Sequence, residues 1–125
     1  MKVKINLILL FLFILGIGGF ILFQKYQELQ KPRIIKINMK SGDFFFDPST
    51  IRAKVGDTLE FNITNDGYHT FVIYEPQKYL SLKKELSEKF ESFSFKVDTP
   101  GTFEFFCDVS GHKSSGQKGR LIVEK

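Results

Sequence analysis

"FFFDPSTIRAKVGDTLEFNITNDGYHTFVI", Phe44 to Ile73, decides the fold class. Asp47-Pro48 and Gly56-Asp57 interrupt runs rich in β-branched and aromatic residues, the punctuation that separates short strands. Within those runs Phe61 and Ile63 alternate with Asn62 and Thr64, the period of two that turns one face of a strand inward and the other to water. Asn65-Asp66-Gly67 forms a turn, and beyond it His69, Phe71 and Ile73 share one parity. An imidazole therefore stands on the inward face of a strand, at its end.

The flanking sequence repeats the pattern. Ile35, Ile37 and Met39 alternate with Lys36, Asn38 and Lys40, and Phe93, Phe95 and Val97 alternate in turn. Thr99-Pro100-Gly101 reverses the chain, Phe103, Phe105 and Cys107 alternate again, and Leu121 and Val123 close a last strand. Tyr79 to Phe90 reads as a short connecting helix, from Leu82, Leu86 and Phe90 at spacing four. Short strands with frequent turns predict an all-β sandwich or barrel and not a βαβ fold. Eleven of the fifteen phenylalanines follow residue 33, enough to fill the interior of one domain over 33–125.

Residues 5–23, "INLILLFLFILGIGGFILF", carry no charge, and about 20 such residues cross the ~30 Å hydrocarbon core of a bilayer. A single N-terminal membrane anchor over 1–23 is expected, followed by a polar linker over 24–32 that ends at Pro32. The competing reading is a cleavable signal with Gly16 and Gly18 as small residues at a weak processing site, but the apolar run exceeds the usual ~7–15 residue core of such signals. Lys2 and Lys4 precede the run whereas Lys25, Lys31, Arg33, Lys36 and Lys40 follow it, so the count of basic residues opposes export of the domain. Long domains translocate largely regardless of charge, and Met1-Lys-Val-Lys before an apolar run has the form of an export signal, so the domain is expected outside the cytoplasm.

The formal charge is +4. Its signs are interspersed beyond the anchor, with no basic stripe of the kind that binds nucleic acid. One cysteine forms no internal disulfide, which leaves an intermolecular partner, a reactive thiol or a metal ligand.

The chain's only cysteine and its two histidines all fall where strand ends and loops converge. "FEFFCDVSGHKSSGQKGRLIV", Phe103 to Val123, places His112 five residues after Cys107 and Gln117 five residues later. Taken singly, a core Cys is an inert small hydrophobe and a strand His is structural. Taken together, His69, Cys107 and His112 make an imidazole, imidazole and thiolate set, the donors of a trigonal copper site.

From Arg33 to Lys125 the chain resembles the cupredoxins, small blue-copper electron-transfer proteins. The matching pieces are Phe44 to Ile73 and "VDTPGTFEFFCDVSGHKSSGQKGRLIV", Val97 to Val123. The resemblance implies a Greek-key β-sandwich holding one copper ion at His69, Cys107 and His112, with Gln117 in the axial position where most members carry Met. An axial Gln oxygen, harder than a thioether, favours Cu(II) and lowers the potential; the alternative is a Gln117 turned to solvent. Met39 reads as core, although as the only thioether besides Met1 it is a second candidate to approach the ion. Thr70 takes the place of a residue that bridges the ligand loops and offers its N–H to the cysteine sulfur, and Tyr68 the place of one that turns a backbone carbonyl toward the ion.

The expected function is that of a membrane-tethered extracytoplasmic electron carrier, a monomer exchanging electrons with redox proteins such as cytochromes or oxidases, and not an enzyme. Two rivals stand beside it. A copper carrier or storage module would bind the ion without redox exchange, and a thiol enzyme would use Cys107 with a histidine base, although Cys107 opens no helix that would lower its pKa. Zinc suits the same ligands.

Overall fold

The computed structural model describes residues 7–29, 31–78 and 80–125. They fall into two units divided between Lys31 and Pro32. The expectations placed on Lys2, Lys4, Ile5 and Asn6 lie outside the described residues.

α1 spans Leu7–Leu29. It contains a 20-residue stretch, Leu10–Leu29, with mean hydropathy 1.5, and is long and apolar enough to cross a membrane by length and composition. The helix continues past Phe23, so the segment expected as a linker begins as helix. Gln24, Lys25, Gln27 and Glu28 are good helix formers, and the chain breaks only near Pro32, whose ring disfavours helical backbone in the residue before it.

The second unit is all β. Its strands are β1 (Ile34–Gly42), β2 (Phe45–Asp47), β3 (Thr50–Lys54), β4 (Thr58–Asn65), β5 (His69–Glu75), β6 (Leu80–Leu86), β7 (Phe90–Lys96), β8 (Gly101–Phe106) and β9 (Lys118–Glu124). One sheet has the order β2-β1-β4-β7, the other β3-β9-β8-β5-β6. β1 runs parallel to β4, from Ile34 opposite Thr58 to Ser41 opposite Asn65, although β3, between them in the chain, belongs to the other sheet. This crossing between sheets is the sandwich expected from the alternation.

One expectation fails. Leu80–Leu86 is a strand, not a helix; Phe90 opens β7, and Tyr79 lies outside the described residues. A spacing of four is one helical turn and also two strand repeats, so Leu82 and Leu86 share a face in either conformation. Pairing with β5 decides between them, setting Leu82 opposite Ile73 and Leu86 opposite His69.

Phe71, fully buried, centres the interior. Its ring meets Phe61 at 5.0 Å, Phe105 at 5.1 Å, Phe93 at 5.5 Å and Phe46 at 5.8 Å between centroids, within the favourable range for aromatic pairs. Met39 lies in the same core at 1% exposure, as its alternation with Ile35 and Ile37 predicts. Gly119 is required where β9 passes the Phe105 ring, since a Cβ there would stand 2.4 Å from the Ser49 carbonyl.

The start of β1 is tied to the β3–β4 turn by charge. Arg33 donates to both oxygens of the buried Asp57 carboxylate, at 3.0 and 2.7 Å, and the Lys54 N–H donates to it at 2.6 Å. The Arg33 guanidinium, foremost, holds the Asp57 carboxyl below its ordinary value of 3.8. The stabilisation is therefore whole above about pH 4 and is lost as the pH falls through the depressed folded value. Asp57→Asn is expected to cost about 1–2 kcal/mol at neutral pH, the low end for a charged hydrogen-bonded pair because Arg33 is largely solvated. Denaturant titrations of both proteins at descending pH check this: the gap between them should close below pH 4.

Candidate metal centre

Three neighbouring strands deliver the site. β5 begins at His69, β8 ends one residue before Cys107, and β9 begins one residue after Gln117. The Cys107 N–H donates to the Gln117 carbonyl at 3.0 Å, extending the β8–β9 ladder by one rung and closing the stem of the loop between them. Inside that loop the His112 N–H donates to the Val109 carbonyl at 3.0 Å and the Gln117 N–H to the His112 carbonyl at 3.0 Å. These turns fold His112 back over Cys107.

The donor atoms of His69, Cys107 and His112 lie within 4.8 Å of one another. His112 Nδ1 stands 3.2 Å from His69 Nδ1, 3.7 Å from Cys107 Sγ and 3.0 Å from Gln117 Oε1. His69, Cys107 and Gln117 are almost wholly buried and His112 half-buried. All four residues singled out in the sequence thus meet at one end of the sandwich, and Gln117 points inward and not to solvent.

The surroundings fix which atoms face the centre. His69 Nε2 lies 2.7 Å from the Asp66 carbonyl, which only accepts, so Nε2 carries a proton and Nδ1 is the ring atom left to face the centre. The Gln117 amide nitrogen donates to Ser41 Oγ at 3.2 Å, leaving its oxygen toward the histidines. Two ring nitrogens, an amide oxygen and a sulfur converge. Such a set suits a cation: with bonds of about 2.05 Å to nitrogen and 2.3 Å to sulfur, the 3.2 Å and 3.7 Å separations would subtend about 100° and 115° at a shared ion, near the tetrahedral and trigonal values.

Thr70 holds the sulfur. Its N–H reaches Cys107 Sγ at 3.4 Å, the contact the resemblance implied, while its hydroxyl donates to Asp108 Oδ1 at 2.7 Å and accepts the Asp108 N–H at 2.9 Å. The Lys83 ammonium, 2.8 Å from Asp108 Oδ2, is the main cause holding the Asp108 carboxyl below its ordinary value, with the Thr70 hydroxyl second. Asn65 is a buried turn-former whose amide donates to the Leu86 carbonyl at 2.9 Å, tying two turns together beneath His69. Tyr68 is exposed, and the carbonyl in contact with His69 is that of Asp66.

Sequence reasoning missed Ser41 and Phe44. Ser41 is the next-to-last residue of β1, in the opposite sheet, and nothing in its local sequence marks it. Phe44 sets its ring edge-on to His112, at 5.4 Å between centroids; its place in the Phe44-Phe45-Phe46 run was the available signal.

A buried cysteine and a histidine at strand ends, with a second histidine on the loop between β8 and β9, define a mononuclear metal site at one end of a two-sheet sandwich. The cupredoxin-like domain family matches residues 10–123, and the chain belongs to that family. A plastocyanin of Scenedesmus fuscus is 30% identical over 98 residues, covering 72% of this chain and 97% of its own. The plastocyanin of the fern Dryopteris crassirhizoma is 32% identical over 102 residues, and its oxidised structure superposes with a TM-score of 0.56 over 72% of this chain and all of its own. Auracyanin A of Chloroflexus aurantiacus, described as a "blue" copper protein, has a TM-score of 0.59 at 15% identity, covering 73% of this chain and 99% of its own, and shares the fold.

Proposed function

We propose that this chain is a one-electron carrier holding a single copper ion at His69, Cys107, His112 and Gln117 within a domain over 33–125, tethered by the N-terminal helix with that domain outside the cytoplasm. The observation that carries it is the meeting of two imidazole nitrogens and a sulfur within 4.8 Å of one another, with the amide oxygen of Gln117 beside them. Copper fits this set better than zinc because a lone thiolate with two imidazoles and a weak axial group is the ligation of blue-copper sites. The plastocyanin relatives and the apolar helix support the same reading.

Bound copper supplies the couple between Cu(I) and Cu(II). The chain's part is to keep the donors still. Asp66 fixes the His69 ring, the Thr70 N–H meets the sulfur, and the closed stem from Cys107 to Gln117 sets the loop, so few atoms move as one electron arrives from a donor and leaves to an acceptor. His112, half-exposed at the rim, is the exit toward a partner. The helix keeps the carrier beside membrane redox proteins such as cytochromes or oxidases.

The test is to load the full chain, solubilised in detergent, with one equivalent of Cu(II), and to record the visible spectrum and a voltammogram. An intense visible band and a reversible one-electron wave are expected, with Gln117→Met raising the potential by about 59 mV or more, a tenfold loss of Cu(II) preference. Weak colourless absorption would remove the copper-thiolate assignment. Tight copper binding without a reversible wave would favour storage over transfer.

A further inference from the structure

We infer that Ser41 is the positioning residue that orients the Gln117 amide, keeping its carbonyl oxygen on the metal side; this rests on the copper reading above. A carboxamide turned by half a rotation about its last bond keeps nearly the same shape, so packing alone does not choose between the oxygen and the NH2 group. Gln117 is 0% exposed, so water does not satisfy whichever end faces away from the site. With Oε1 3.0 Å from His112 Nδ1, the NH2 group points to the rear and donates to Ser41 Oγ at 3.2 Å. The reverse arrangement would turn N–H dipoles toward a cation. A cation in front of the amide selects the oxygen; the carbonyl-inward geometry then leaves the NH2 group needing an acceptor behind it, and the Ser41 hydroxyl, which accepts as readily as it donates, supplies one.

The fold holds Ser41 in this place from the opposite sheet. It is 2% exposed, it lies beside Asn65 through the parallel β1–β4 pairing, and its carbonyl accepts the Asp66 N–H at 2.9 Å. The Asp66 carbonyl in turn fixes His69. Ser41 thus steadies two of the four donors, one through its main chain and one through its hydroxyl. Ser41 lies 76 residues from Gln117 in the chain, so its backbone is set by β1 and not by the loop it braces.

The decisive pair is Ser41→Thr and Ser41→Val, equal in shape and differing by the hydroxyl. Full-length copper-loaded proteins in detergent are compared by voltammetry, by electron paramagnetic resonance of the Cu(II) form, and by the nitrogen-15 resonance of the Gln117 NH2 group in the diamagnetic Cu(I) form. A buried NH2 group left without an acceptor makes the carbonyl-inward state less favourable, so the valine variant should lose about tenfold in Cu(II) preference, a rise of about 59 mV. The threonine variant should stay near wild type. In a Gln117→Met background the two should have equal potentials, because no amide remains to orient.

Equal potentials and unchanged Gln117 NH2 signals for the valine and threonine variants overturn the role of Ser41. An equal gap between them in the Gln117→Met background does the same, since it shows a structural effect that bypasses the amide. Failure of the underlying reading looks different: Gln117→Met by itself would leave potential and spectrum unchanged, removing the axial ligand and this inference with it.

Discussion

Cys107→Ser is expected to abolish the visible thiolate-to-copper band and to lower Cu(I) affinity by more than about a hundredfold. Loss of an outer contact to a metal ligand costs about 10–100-fold, and here the ligand itself is removed. Serine is nearly isosteric, but its hydroxyl does not ionise at neutral pH and its oxygen is a hard donor, so both the colour and the preference for Cu(I) go with the sulfur. The fold should survive, because the smaller side chain occupies a fully buried position and its oxygen still accepts the Thr70 N–H. Competition against a Cu(I) chelator measures the affinity. Retention of the band in the variant would show that the sulfur is no ligand.

Phe71→Ala should produce the largest loss of stability. A buried Phe→Ala change costs about 3–5 kcal/mol, a large share of the ~5–15 kcal/mol that holds a domain folded. Four neighbouring rings lose their common partner. The cavity opens two residues from His69 on the same strand face, so looser copper binding should accompany the loss. Denaturant midpoints of the metal-free and copper-loaded forms check both effects: copper should recover part of the stability, since a ligand bound only by the folded state favours it by mass action.

The sandwich was legible because alternation is a local signal: Phe61 and Ile63, or Phe103 and Phe105, declare their faces without knowledge of neighbours. The same parity put His69 and Cys107 on inward faces, and the short loop to His112 and Gln117 limited where those residues could go. The strand at Leu80–Leu86 was hidden because leucines four apart satisfy both periods, and only its partner strand chooses. Ser41 was hidden for a different reason. Its meaning lies in a parallel pairing and in a contact between sheets, and neither leaves a trace in the residues around it.

The composition of the interior bears on where charge can stray. The chain has no tryptophan, the described tyrosines 26, 68 and 74 are exposed, and the aromatic residues of the buried hydrophobic cluster that includes Cys107 are all phenylalanine. Phenol and indole groups give up an electron far more readily than a bare benzene ring does. In the proposed carrier a hydrocarbon wall of this kind insulates the interior, which leaves the imidazole of His112 at the rim as the low-resistance way out for an oxidising equivalent.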